Sequence, residues 1–342
     1  MGNYLVYSYN RKLPLARVVI RSSTIKLGGI IVVLCALASA RTARANSVIP
    51  STRPAGLAVH PWVPKGFHVI RDVPYAVHAR RSQMLDVYVP DATTLPRPLM
   101  VWIHGGGWYS GDKSAPPGMG ILLRGYVVAS INYRLSSEAL FPAQIFDCKA
   151  AIRFLRAHAR EFDIDPSRIG VWGDSAGGQL AALMGTTNGR AEYEGLEGTP
   201  GVSSAVEAVC DWFGPSDFLL ASDVRPASQG AMTLLFGGKV SAHAAMAMFA
   251  SPAEQVGRAP LVPFLIMHGQ LDAMVPAHQS QILYQKLEQA GAPAKLVILP
   301  KSGHGNGWFR SRENLTMVYD FFDRCFRKAQ ARVFVATTRP ST

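Results

Sequence analysis

Short apolar runs alternate along the chain with segments whose apolar positions recur every three or four residues. FHVIRDVPYAV (67–77) and MLDVYVP (84–90) alternate partially and predict strands. PLMVWIHG (98–105) and YVVASINY (126–133) are nearly unbroken apolar runs, the signature of strands buried on both faces. RIGVWG (168–173), AVEAVCDW (205–212), LVPFLIMHG (261–269) and AKLVILP (294–300) repeat that signal. Between them, FPAQIFDCKAAIRFLRAHAREF (141–162) places Ile145, Cys148, Ile152, Leu155 and Ala159 on one helical stripe, with Pro142 suited to the first turn. Residues from 176 onward, about 277–290 and 311–328 also read as helices. This alternation predicts an α/β class: a mostly parallel central sheet of about eight strands, helices on both faces and a first strand pair that is antiparallel. The stretches 186–204 and 213–258 carry no strand signal, and the second is expected to form a small cap above the sheet edge.

Composition alters the picture at the two ends. The first 46 residues hold seven Lys or Arg and no Asp or Glu, and LGGIIVVLCALASA (27–40) is an apolar run ending in Ala38-Ser39-Ala40, with Ala43-Arg44-Ala45 following. A basic segment, an apolar segment shorter than a membrane span and an A-x-A site read as a secretory signal peptide cleaved near Ala40 or Ala45. This implies a secreted or periplasmic protein with no stable membrane anchor after cleavage. Residues 47–66, rich in Pro and Ser, read as a linker, 67–330 as one catalytic domain and 331–342 as a flexible tail. Seven of the positive charges lie in the leader, so the formal charge of +12 falls to +5 without it. That remainder speaks to solubility, and with no basic run interleaved with aromatics it indicates no nucleic-acid partner. Cys148, Cys210 and Cys325 remain after the leader. An oxidising compartment permits one pair, and Cys148–Cys210 is the expected disulfide. No CxxC or HExxH spacing indicates a metal, and no cofactor is called for.

The candidate chemistry centres on GVWGDSAGG (170–178). A G-x-S-x-G motif alone arises by chance in roughly one or two of ten chains of this length. Here a predicted strand leads into Ser175 and a helix leaves it, the strand–turn–helix setting of a serine nucleophile. A serine hydroxyl needs a base, and His304 in SGHGNGW follows the last predicted strand. Asp272 in HGQLDAMVP follows the strand before it, and a carboxylate bonded to imidazole fixes its tautomer. Asp211 and Asp217 are rival acids after the preceding strand. HGGGW (104–108) follows the strand 98–103, and its glycines let backbone N–H groups approach a developing oxyanion. Gly106, Gly107 and Ala176 are the expected donors, with Gly105 as a substitute for one of them. Trp108 and Trp308, beside these two loops, are candidate walls of a substrate pocket. Asp174 and His268 read as structural neighbours of the site.

These motifs carry a resemblance. LDVYVP (85–90), VWIHGGGWYSGDK (101–113), NYRL (132–135), FPAQIFDCKAAIRFL (141–155), DPSRIGVWGDSAGG (165–178), HGQLDAMVP (268–276) and GHGNGW (303–308) resemble α/β-hydrolase serine esterases. The similarity is to the hormone-sensitive-lipase-like and feruloyl-esterase-like (BD-FAE-type) branches, and NYRLSSEALFP favours the second. The resemblance implies an α/β-hydrolase fold and a Ser175–His304–Asp272 triad acting on a small ester through an acyl-enzyme. Acetyl, feruloyl and short acyl esters all fit that description. The HGGxW pattern also resembles kynurenine formamidases, which keeps an aryl formamidase or amidase as the alternative, beside a non-catalytic binding member of the fold.

Overall fold

The computed structural model describes residues 63–337 apart from 78, 80, 92–94, 115 and 224. The expected leader, its cleavage sites, the linker up to residue 62 and the last five residues lie outside the described residues.

In chain order the main elements are β1 (Phe67–Pro74), β2 (Met84–Pro90), β3 (Arg97–Ile103), β4 (Val127–Ile131), α1 (Ala143–Ala157), β5 (Ile164–Asp174), α2 (Ala176–Thr186) and β6 (Ala208–Trp212). There follow α3 (Pro226–Phe236), α4 (Ala244–Ala250), α5 (Pro252–Gln255), β7 (Phe264–Gly269), α6 (His278–Gln289), β8 (Ala294–Leu299) and α7 (Arg312–Thr337). One eight-stranded sheet has the order β1-β2-β4-β3-β5-β6-β7-β8. β2 runs antiparallel to both β1 and β4, and every pair from β4 to β8 is parallel. The chain therefore steps from β3 out to β4 and returns to β5 on the other side of β3. That reversal opens a crevice at the C-terminal ends of β3 and β5, where ligands of open α/β sheets bind.

The apolar runs fill two layers. Trp102, Trp172 and Trp212, on adjacent strands, meet edge to face with centroids 4.7 to 6.3 Å apart, under Phe322 and Phe326 of α7. Each such buried side chain contributes about 1.5–3 kcal/mol by leaving water. On the other face α1 and α2 pack together, with Ile145, Ile152, Leu155 and Leu180 fully buried. The helical stripe read in 141–162 is the buried face of α1 from Ile145 to Leu155, but the helix starts at Ala143, after Pro142, and ends at Ala157, before Ala159. α7 runs on to Thr337, into the segment read as tail.

The expected disulfide is not formed: Cys148, Cys210 and Cys325 are free thiols. Along β6, Val209 and Asp211 turn toward α2, whereas Cys210 joins the aromatic layer with Trp212 under α7. Cys148 sits on α1, which packs with α2, so the sheet stands between the two sulfurs. Burial pushes both thiols well above the ordinary range. Among the described residues no helix is long and apolar enough to cross a membrane, and no group of three or more His, Cys, Asp or Glu side chains is arranged to hold a metal ion.

Candidate active site

The crevice collects four loops. Ser175 lies between β5 and α2 at φ 52° and ψ −118°, a region that L-residues rarely occupy. Such strain costs of order 1–3 kcal/mol and persists where the surroundings enforce it. Here its N–H is bonded to Trp212 O at 2.8 Å and its carbonyl begins α2 by accepting from Gln179 N at 3.0 Å. The turn also needs Gly177, because a Cβ there would collide with the carbonyl oxygens of Ile103 and His104. That close approach sets α2 against the end of β3, and β3 pairs with β5 so that Ile103 faces Gly173. The serine turn and the HGGG loop are thus neighbours by strand register.

His304 comes from the loop after β8 and Asp272 from the loop after β7. Leu271 N–H donates to Ser302 O at 2.9 Å and ties the two loops together. His304 Nδ1 lies 2.7 Å from Asp272 Oδ2, and Nε2 lies 2.9 Å from Ser175 Oγ. A carboxylate only accepts, so Nδ1 carries the proton and Nε2 presents its lone pair to the serine hydroxyl. The other oxygen of Asp272 accepts from Met274 N at 2.8 Å and Val275 N at 2.9 Å. Burial works to raise the Asp272 carboxyl. The hydrogen bonds from His268 and His304, the charge of His304 and the Val275 N–H outweigh that effect and hold it well below the ordinary range. The rival acids are placed elsewhere: Asp211 is fully buried on β6 and accepts from Gly214 N at 2.9 Å, and Asp217 accepts from Leu219 N at 2.9 Å.

Gly106, Gly107 and Ala176 line one pocket with Ser175 and His304, whereas Gly105 is not part of its lining and packs against Asp174. Gly106, at φ 109°, makes the tight turn in which its carbonyl accepts from Tyr109 N at 3.2 Å and Ser110 N at 3.0 Å. No protein acceptor among the described residues engages the N–H of Gly106 or Gly107. The loop is braced from behind. Tyr133 of the NYRL segment donates to His104 O at 2.9 Å and stacks on the His104 ring at 4.4 Å. Lys113 anchors the far end of the loop to the buried Asp86 at 2.6 Å.

The pocket encloses about 270 Å³. Trp108 lines it and is 4% exposed, its indole N–H donating to Gln179 Oε1 at 3.0 Å. The other sequence candidate, Trp308, is 56% exposed and lies outside this pocket, in a surface recess with Asn306 and Ser311. The turn that aims His304 inward leaves Gly307 and Trp308 facing out and sends Phe309 into the core against Trp212 and Phe213, so Trp308 does not wall the pocket. Walls that sequence reasoning missed come from Phe213 and from Ala231 and Met232 on α3, within the segment read as a cap. Phe213 directly follows the β6 apolar run, which was the available signal, and its ring meets His304 at 4.7 Å. Asp174 also lines the pocket, and burial raises its carboxyl against the opposing effects of the Gly105 N–H, Arg310 and His304.

The Mycobacterium tuberculosis esterase LipC is 33% identical over 249 residues, covering 67% of this chain and 60% of LipC. The chain spans about three fifths of the length of the curated relatives it matches. A carbohydrate esterase from gut microbiota, solved in truncated form, superposes with a TM-score of 0.69 at 34% identity, over 75% of this chain and 95% of that one. An acetyl ester-xyloside bifunctional hydrolase from Caldicellulosiruptor lactoaceticus superposes with a TM-score of 0.61 at 25% identity, over 70% and 87% of the two chains. The BD-FAE family profile matches residues 85–287, and with that match over more than half its length the chain belongs to the BD-FAE family, on the α/β-hydrolase fold.

Proposed function

We propose that the protein is an exported serine esterase that hydrolyses carboxylic esters, either of short acyl chains or of acetyl or feruloyl groups carried on sugars. The hydrogen-bonded line Asp272–His304–Ser175, opening into a pocket floored by glycine backbone, carries this reading. Ser175 Oγ attacks the ester carbonyl as its proton passes to His304 Nε2. Asp272 stabilises the imidazolium that forms. The carbonyl oxygen becomes an anion held by the N–H groups of Gly106, Gly107 and Ala176, where each such donor is worth about a hundred- to a thousand-fold in rate. His304 returns the proton to the departing alcohol, and water then releases the acid from Ser175 by the same steps.

The apolar walls of Phe213, Ala231 and Met232 suit an acyl group of a few carbons. The likeness to a carbohydrate esterase and to an acetyl ester-xyloside hydrolase supports sugar-linked esters as the substrate class. Export rests on the basic leader, its apolar run and the two A-x-A sites.

The test is hydrolysis of p-nitrophenyl acetate, butyrate and octanoate by the purified protein beside Ser175→Ala, followed by acetylated and feruloylated sugars. Activity that declines with acyl length and vanishes in the variant is the expected result. Equal rates in wild type and variant would overturn the serine mechanism.

A further inference from the structure

A second histidine stands on the Asp272 carboxylate. His268, at the end of β7, is fully buried, and its Nε2 lies 3.3 Å from Asp272 Oδ2, the same oxygen that accepts from His304. Nε2 also lies 2.8 Å from Val275 O. A carbonyl and a carboxylate both only accept, so Nε2 carries a proton that the two oxygens share. In the neutral ring, Nδ1 then accepts from the Ser280 hydroxyl, 2.7 Å away on α6. The groups facing His268 are Asp272, Ser280, the Val275 carbonyl, the Phe213 ring at 6.4 Å and the buried carboxyl of Asp211, which interacts with His268 through its charge.

A continuous polar line therefore runs Ser280–His268–Asp272–His304–Ser175. An apolar residue would fill the same interior space without the desolvation cost of an imidazole. What the histidine adds is an N–H that serves the Val275 carbonyl at 2.8 Å and, at 3.3 Å, one particular oxygen of Asp272. We propose that His268 is a positioning residue. It holds Asp272 Oδ2 on the line to His304 Nδ1, Ser280 sets its ring, and the first turn of α6 is thereby tied to the orientation of the base. Without that donor, Asp272 keeps its two backbone bonds but Oδ2 is free to swing and carries more unbalanced charge. His304 then loses its alignment on Ser175 and holds a proton more tightly.

The inference rests on the serine-esterase reading and is tested beside it. His268→Leu, His268→Gln and Ser280→Ala are compared with wild type on p-nitrophenyl acetate. Rates are taken per active site titrated with an organophosphate, and the pH dependence of kcat/KM and the NMR titration of the His304 ring are recorded. For His268→Leu the expected result is a kcat lowered roughly tenfold to a hundredfold, the range for groups that orient a functional side chain. KM stays within about threefold, and the acid limb and the His304 titration both move to higher pH by roughly half a unit or more. His268→Gln, whose amide can still donate, recovers part of both effects, and Ser280→Ala falls between it and wild type. A folded His268→Leu with unchanged kcat per titrated site and an unmoved acid limb would reduce His268 to packing. Should that variant fail to fold, an unmoved limb and unchanged kcat in Ser280→Ala would overturn the proposal equally. Failure of the serine reading is separate: it shows as Ser175→Ala matching wild type, while the His304 NMR titration still reports whether His268 acts on Asp272.

Discussion

Asp272 meets His304 with one oxygen and the backbone of its own loop with the other. Oδ2 lies 2.7 Å from His304 Nδ1, and Oδ1 takes the N–H groups of Met274 and Val275. This division of labour makes Asp272→Asn informative. The amide oxygen can keep the loop bonds, and the amide nitrogen then faces His304 and favours the wrong tautomer. The expected outcome is a fall in kcat of about ten-thousand-fold, as found where a triad aspartate becomes asparagine, with a melting temperature near that of wild type. Single-turnover kinetics and a thermal melt check it together, and a kcat within tenfold of wild type would remove Asp272 from the proposed role.

Gly106 has no room for a side chain, since a Cβ would run into the Ser110 carbonyl and its φ of 109° suits glycine. Gly106→Ala is expected to displace the loop and lower kcat by about a hundred- to a thousand-fold, the cost of one oxyanion donor. The serine should still react with an organophosphate, more slowly, because the Ser175–His304 contact is built from other loops. Normal turnover in this variant would move the oxyanion site elsewhere.

Because Ala231 and Met232 of α3 line the pocket, acyl selectivity is expected to respond to substitutions there. Ala231 lines the pocket beside Gly107, so Ala231→Phe should fill it and lower kcat/KM for octanoate and butyrate at least tenfold relative to acetate. Trp308 lies outside the pocket, and Trp308→Ala should leave kcat/KM for p-nitrophenyl acetate within about threefold of wild type. A large loss in the second variant would return Trp308 to the pocket wall.

Asp211 gives a pH signature in stability. Burial pushes its carboxyl up to about 6, against the opposing pull of the Gly214 N–H and the charge of His268. The folded protein therefore holds a proton there that the unfolded chain releases near pH 4. The stability gained from that proton is full below about pH 4 and is lost as pH rises through 6. Asp211→Asn keeps an acceptor for Gly214 and carries no charge. It should match wild type near pH 4 and exceed it at pH 8 by up to roughly 3 kcal/mol. Denaturant melts at the two pH values check this, and equal stability at pH 8 would show that the folded protein tolerates the ionised carboxylate.

Much of this was legible in the chain. Each predicted strand lies within a few residues of its place, the central ones because buried parallel strands must be apolar throughout, and the residues that follow the parallel strands must then be the ones at the crevice. Ser175, Asp272 and His304 follow from that rule. The Cys148–Cys210 pairing failed because a strand's alternation shows that two faces exist, but not which helix covers which. Trp308 failed for a related reason, since the direction of a loop residue depends on the turn before it. The contact of His268 with Asp272 was hidden because a strand end and a loop residue four positions later have no fixed relative geometry. The support of the HGGG loop by Tyr133 joins two segments that only the sheet order brings together.

β8 is the edge strand of the sheet, only partly buried along its length, and the loop after it delivers His304. The proposed base is thus suspended from an element with a neighbour on one side alone. Edge strands detach at a smaller free-energy cost than central ones. Peeling β8 from β7 would part His304 from a serine turn still locked between β3, β5 and β6. On heating or in denaturant, catalytic competence should disappear before the tryptophan cluster is exposed, and refolding molecules should regain their fluorescence before they regain their turnover.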